Sequence, residues 1–286
     1  MRVALAGSGA LLDLCAPTLV TAGHEVVPLR PSGCRSQGRA PDSGASPALV
    51  AALEGCDALV NLSSGRGCDV DGRARDLVTA ARGAGVRRFV QRSVSLMYAD
   101  QGPEWITERS PLCVTSLTEP ASMDEVAVQT FVSPCRDGIV LRMGLVLGDE
   151  ASTRSWLRAV GSRRNPGGHD DGFTHVLHSD DLAPAVHAAL SAPSGIYNVG
   201  AAPVRRTELV ESWLSSSGRR ALRSRTRIGW GRGVASGWRG RELEPMTRSL
   251  RVSSSAFMGT TGWAPRREVF DASWLEAALT SPLALR

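Results

Sequence analysis

Three side chains able to do proton chemistry stand close together in "RSVSLMYAD", residues 92–100: Ser93, Ser95 and Tyr98. They follow the apolar run Val86 to Val90, which reads as a buried strand. A serine hydroxyl can hold a carbonyl oxygen, and a tyrosine can give it a proton. A tyrosine becomes a stronger proton donor near neutral pH when a neighbouring cation lowers its pKa. Here Tyr98 is followed by Ala99, Asp100, Gln101 and Gly102. All 33 basic side chains of the chain are arginine, so no lysine is available from anywhere in the sequence. Arginine cannot take over by titrating, because it stays charged throughout the accessible pH range.

The elements around this stretch alternate strand and helix. "RVALAG" (2–7), "HEVVPLR" (24–30), "CDALVNLSS" (56–64) and "VRRFVQRS" (86–93) read as strands, and "GIVLRMGLVLG" (138–148) as a further strand running into a loop. Helical spacing occupies 10–23, 47–55, 70–85 and 124–134. Repeated β-α steps predict an α/β fold, a doubly wound parallel sheet of Rossmann type, with a smaller C-terminal substrate-covering region. Residues 1–150 read as a dinucleotide-binding half, and 151–286 as late sheet elements mixed with a substrate-binding region. In the second half, "FTHVLHSDDLAPAVHAALSAP" reads as a strand, an aspartate cap and a helix. "GIYNVG" reads as a short strand, 206–218 as a helix, and 219–250 as irregular and basic.

"AGSGALLD" lies between the first strand and the first helix. A glycine turn there lets backbone N–H groups at a helix start hold a pyrophosphate. The spacing gives Gly7 and Gly9 but Leu12 where a third glycine would serve close packing, and Asp13 must point away from a bound anion. At the end of the second strand, Arg30 and Arg35 stand where an acidic residue would hold the ribose hydroxyls of NAD. Two guanidiniums suit a 2′-phosphate, so NADPH is the expected cofactor and NADH the lesser one.

The net charge of +5 and the arginine-rich segment 219–251 raise nucleic acid as a partner. Glu242 and Glu244 interrupt that segment and no recognised binding motif accompanies it, so a solvated basic face is the better reading. No apolar run approaches the roughly 20 residues of a membrane span. The six cysteines show no CxxC pair, which favours reduced thiols and a cytoplasmic setting. A metal site built from His175, His178, Asp180 and Asp181 is disfavoured. The two histidines would point to opposite faces of a strand, and Asp180 or Asp181 serves as the cap of the helix that follows.

In order along most of the chain, "VALAGSGALL", "LVNLSSG", "VRRFVQRSVSLMYAD", "GIVLRMGLVLG", "HVLHSDDLAPAVHAAL", "GIYNVG" and "RVSSSAFMGTTGWAP" resemble an atypical extended short-chain dehydrogenase/reductase of the NAD-dependent epimerase/dehydratase type. The resemblance implies that Gly7, Gly9, Ala10 and Leu11 line the pyrophosphate, and that Leu62, Ser63 and Ser64 lie along the cofactor ribose. It implies too that Ser93, Val94 and Ser95 occupy the place of the catalytic serine or threonine, and that Met143 and Gly144 approach the nicotinamide. The tyrosine-lysine pair of such enzymes falls on Leu117 and Ala121, so it is absent rather than displaced. A reductase without that pair suits a ketone that carries its own charge, such as a polycyclic aromatic ketone conjugated to a phenol. In this respect the chain resembles the atypical ketoreductases of angucyclinone antibiotic pathways. Ser95 and Ser93 are then the candidate polar contacts, and Leu96, Met97, Tyr98 and Trp105 the candidate substrate-lining residues, with an aromatic small molecule as partner. The alternatives are a non-redox isomerase, cyclase or dehydratase of the same fold, and an inactive binding protein.

Overall fold

A computed structural model of the chain describes residues 1–7, 9–29, 46–63, 74–147, 172–216 and 244–275. The first half runs β1 (Arg2–Ala6), α1 (Gly9–Thr21), β2 (Glu25–Leu29), α2 (Pro47–Leu53), β3 (Ala58–Asn61), α3 (Ala74–Gly83), β4 (Arg88–Val94), α4 (Glu119–Phe131) and β5 (Asp137–Met143). The second adds β6 (Leu145–Leu147), β7 (Phe173–Thr174), β8 (Val176–His178), α5 (Ser179–Ala189), β9 (Gly195–Val199), β10 (Val204–Arg205), α6 (Arg206–Ser216) and α7 (Ser255–Thr261).

Six parallel strands pair in the order β2-β1-β3-β4-β5-β9. Strands covered on both faces of a parallel sheet are buried almost without interruption, and β1, β3 and β5 are so. Alternation still assigns each side chain to a face. Val3, Leu5, Val60, Val90, Ile139 and Leu141 pack with α1 and α5. Ala4, Leu59, Phe89 and Val140 pack with α2, α3 and α4. The chain leaves β1 toward β2 and then crosses back to β3, so the winding direction reverses between β1 and β3. A crevice opens beyond the carboxyl ends of strands at such a reversal.

Several elements differ in detail from the sequence reading. The helix expected from residue 124 starts at Glu119, because Pro120 is suited to a first turn and does not break it. The single strand expected over 138–148 divides at Gly144. The backbone of Val176 passes so close that a Cβ at Gly144 would lie 2.8 Å from its N and C atoms. β6 then leaves the main sheet and pairs with β8. The cap of α5 is His178 and not an aspartate: its Nδ1 accepts from the backbone N–H of Asp180. Asp181 instead accepts the backbone N–H groups of Arg266 and Arg267, tying α5 to a later loop. Residues 148–171 and most of the segment 219–250 lie outside the described residues. A second core of Leu147, Val176, Val204, Leu209, Phe270 and Trp274 joins the late elements. Among the described residues, no helix is long and apolar enough to cross a membrane, and Cys15, Cys56, Cys113 and Cys135 are free thiols.

Candidate active site at the carboxyl end of the sheet

The crevice between β1 and β3 is built on Gly7. Its φ is +150°, and a Cβ there would sit 3.1 Å from Leu62 Cβ. The backbone N–H of Leu62 donates to Ala6 O at 2.8 Å, which holds the two strand ends together. α1 begins two residues on, runs 13 residues, and carries no acidic residue in its first turn. Its first N–H groups have no intrahelical acceptor. The Asp13 side chain is exposed on the outer side of the helix. This donor set fits the pyrophosphate of a dinucleotide, with the backbone of Gly7 and of the first turn of α1 as its holders. Leu11 contributes only backbone there, because its side chain is buried in the core beneath α1. Arg30, Arg35 and Ser64 lie outside the described residues.

Two buried amides that sequence reasoning passed over shape the other wall. Asn61 Nδ2 donates to Gln91 Oε1 at 2.9 Å, and the backbone N–H of Ser63 donates to Asn61 Oδ1 at 3.1 Å. Gln91 Nε2 in turn donates to Ser63 O at 3.0 Å. The turn at Leu62 and Ser63 is thereby fixed from β4. The available signal was a polar residue inside each of two apolar runs, "ALVNL" and "FVQRSV".

Farther along, register places Val94 beside Met143 and Met143 beside Val199. Met143 is buried in the core on the α1 face, and Gly144 N donates to Val199 O. Ser95 is buried and opens a 3₁₀ turn through Met97, closed by the Tyr98 N–H donating to Ser95 O at 3.1 Å. The serine thus does at least the turn-forming work.

Ser93 does not face the crevice. It is wholly buried on the α4 face, and its hydroxyl donates to Glu125 Oε1 at 2.6 Å. Glu125 also receives a bidentate pair from Arg142, Nε to Oε1 at 2.9 Å and NH2 to Oε2 at 2.7 Å. Arg142 NH1 donates to the Tyr98 hydroxyl at 3.0 Å, and that hydroxyl donates to Asn198 Oδ1 at 2.7 Å. Asn198 is held in place by Glu108, whose Oε1 accepts its backbone N–H. Although burial disfavours its charge, the Glu125 carboxylate raises the Arg142 pKa above its ordinary value. Burial pushes the Tyr98 phenol up, against the lowering effect of Arg142.

The expectations for Ser93 as a catalytic contact and for Tyr98 and Met97 as substrate-lining residues are corrected here. All three are completely buried. Alternation turns Ser93 toward α4, and the Tyr98 hydroxyl is spent on Arg142 and Asn198. Leu96 is half-buried. Trp105 is 52% exposed, with the Arg251 guanidinium 4.3 Å from its ring centre, so it belongs to the outer surface and not to an apolar pocket. Leu117 lies in the turn before α4, and Ala121 is buried in the first turn of that helix. The other tyrosine, Tyr197, donates its hydroxyl to Pro193 O at 3.1 Å.

His175 is buried with neither ring nitrogen hydrogen-bonded. Burial pushes its pKa down to about 3, so it is neutral. Its ring fills the space over Gly200, where a Cβ would collide with it.

Solved structures share this fold over nearly the whole chain. Human epimerase family protein SDR39U1, solved with NADPH, superposes with a TM-score of 0.71 at 21% identity, covering 98% of this chain and 100% of that one. The fold shared with it is a Rossmann-type α/β fold on a six-stranded parallel sheet. Within that fold, the UDP-glucose 4-epimerase of Thermus thermophilus in complex with NAD gives 0.70 at 16% identity, with 98% of both chains covered. DesIV, a dTDP-glucose 4,6-dehydratase of Streptomyces venezuelae with NAD bound, gives 0.69 at 17%, covering 98% of this chain and 96% of that one. No protein-family model and no curated protein matches the sequence.

Proposed function

We propose that the protein is an NADPH-dependent ketoreductase for a polycyclic aromatic polyketide ketone, of the angucyclinone kind, and that it works without a protein proton donor. The observation that carries this reading is the state of the hydroxyls. Leu117 and Ala121 stand where a tyrosine and lysine would act. The two tyrosines of the chain are engaged elsewhere, Tyr98 with Asn198 and Arg142, Tyr197 with a backbone carbonyl. A bound NADPH supplies the hydride. The chain's own part is to orient: the Gly7 turn and the start of α1 hold the dinucleotide phosphates, and the Met143–Gly144 end of β5 bounds the reacting end. Val94, Ser95 and Leu96 approach the ketone from β4. Positioning alone can supply a large share of a barrier reduction. The negative charge that forms on the carbonyl oxygen must then be carried by the substrate, through a conjugated hydroxyl that becomes a phenolate and is later reprotonated by water.

The test is a pair of substrates on the full chain. NADPH is titrated by fluorescence, and its consumption is followed with a hydroxylated aromatic ketone and with the methyl ether of the same compound. The expected result is NADPH binding and a loss of about 100-fold or more in kcat/KM for the ether, the size seen when a transition-state donor is removed. Equal turnover of both would overturn the phenolate reading. NADPH binding with no hydride consumed from any such ketone would favour an isomerase, cyclase, dehydratase or binding role.

A further inference from the structure

Arg92 is the charged residue closest along β4 to the crevice, and the sequence reading gave it no role. Pairing of Ala6 with Asn61, and of Asn61 with Gln91, puts Gly7, Leu62 and Arg92 in the next row across the sheet. Neighbouring strands are about 4.8 Å apart, so Arg92 stands roughly 10 Å from the glycine turn, on the side away from β2. Its side chain shares the α1 face, since Val90, two residues earlier, packs with α1 and α5. The guanidinium reaches back toward β3, where NH1 donates to Leu62 O at 3.4 Å. Its charge also acts on the buried thiol of Cys15 in α1, opposing the rise that burial causes. The cation therefore lies between strand ends and helix, alongside the crevice and half shielded from solvent.

We propose that Arg92 clamps the nicotinamide-side phosphate of the bound dinucleotide, supplying from the strand wall the fixed positive charge that a lysine-free chain must take from arginine. The proposal rests on the dinucleotide reading above. The adenine half of a dinucleotide runs toward β2 and the nicotinamide half toward β4 and β5, because the glycine turn holds the pyrophosphate between them. The phosphate nearer the nicotinamide then passes the row in which Arg92 stands. A guanidinium offers planar, paired N–H donors that match a phosphate and never lose their charge. This role differs from that expected of Arg30 and Arg35, which concerns the 2′-phosphate of the adenine ribose.

The experiment is calorimetric titration of the full chain, wild type, Arg92→Gln and Arg92→Lys, with NADPH, NADH and 2′,5′-ADP. Loss of one charge-assisted pair corresponds to about tenfold or more in Kd. We expect that loss for NADPH and NADH alike in Arg92→Gln, with their ratio unchanged and partial recovery in Arg92→Lys. The adenine-half ligand 2′,5′-ADP is expected to bind all three proteins equally. Should Arg92→Gln fail to fold, protection of Arg92 in the wild type from an arginine-specific dicarbonyl by saturating NADPH, read by peptide mass spectrometry, tests the same contact. Wild-type NADPH binding with an unchanged Kd in Arg92→Gln, an equal loss for 2′,5′-ADP, or no protection overturns the proposal and leaves the reductase reading standing. Absence of NADPH binding by the wild type overturns both.

Discussion

One residue along each strand separates two regions of opposite character at the carboxyl end of this sheet. On the α1 face, Gly7, Leu62 and Arg92 lie in one row at the strand ends beside the start of α1, whose first N–H groups have no intrahelical acceptor. On the α4 face, Ser93, Arg142 and Asn198 form a row whose side chains are satisfied by Glu125, Tyr98 and the carbonyl of Ser253. The first face leaves the backbone N–H groups at the start of α1 open to a ligand, while the second spends its polar side chains on structure. Residue type alone does not separate the two, since serine, arginine and tyrosine are at home in both.

The largest expected effect comes from breaking the closed face. Glu125→Leu leaves the Arg142 guanidinium buried and unpaired, which costs about 3–5 kcal/mol, whereas Glu125→Leu with Arg142→Met together should cost far less. Urea unfolding of the two singles and the double checks this, and an additive double would mean the network is not a unit. Next, Gly7→Ala strikes the open face. Its Cβ meets Leu62 on a backbone that L-residues rarely adopt, so NADPH affinity should fall by about 100-fold while the melting temperature drops only modestly. Comparable losses in both measurements would show that the crevice is structural after all.

His175 marks a polar group that belongs to neither pattern, and pH is the way to address it. Its folded pKa of about 3 lies below the ordinary 6.5, so between those values the unfolded chain binds a proton that the folded chain does not. Stability is complete above about pH 6.5 and falls as pH drops toward 3, by about 1.4 kcal/mol per unit. Urea midpoints at pH 7.5 and pH 5 should therefore differ by more in the wild type than in His175→Leu. The smallest effect is expected from Tyr98→Phe. It should lose about 1 kcal/mol of stability with the hydrogen bonds of one hydroxyl, and kcat should stay within a few-fold. A fall of several orders of magnitude would make Tyr98 an acid and join the two faces into one site.

The parallel sheet was legible because buried strands leave apolar runs and β-α alternation admits few windings. The glycine turn was legible from its place between a strand and a helix. The α4-face network was not, because alternation within β4 and β5 decides which way Ser93 and Arg142 point. A run such as "FVQRSV" is polar and apolar on both faces at once, so sequence could not tell a serine aimed at a substrate from one aimed at Glu125. The cap of α5 escaped for a related reason: His178 competes for the same role as the aspartates that follow it, and only the path of the strand gives it the N–H of Asp180. Trp105 read as pocket because it is apolar, while the chain before Val252 carries it outward under Arg251.

The pairing of β9 with β5 bears on how the chain acquires its shape. The sixth strand, from Gly195, docks on a partner that ends at Met143, so a ribosome must add some fifty further residues before the sheet is closed on that side. Until then Ile139, Val140 and Leu141 line an apolar strand with one edge unpaired, of the kind that recruits other chains. Ending the protein near residue 150 would make that transient condition permanent, and such a fragment should aggregate where the full chain folds.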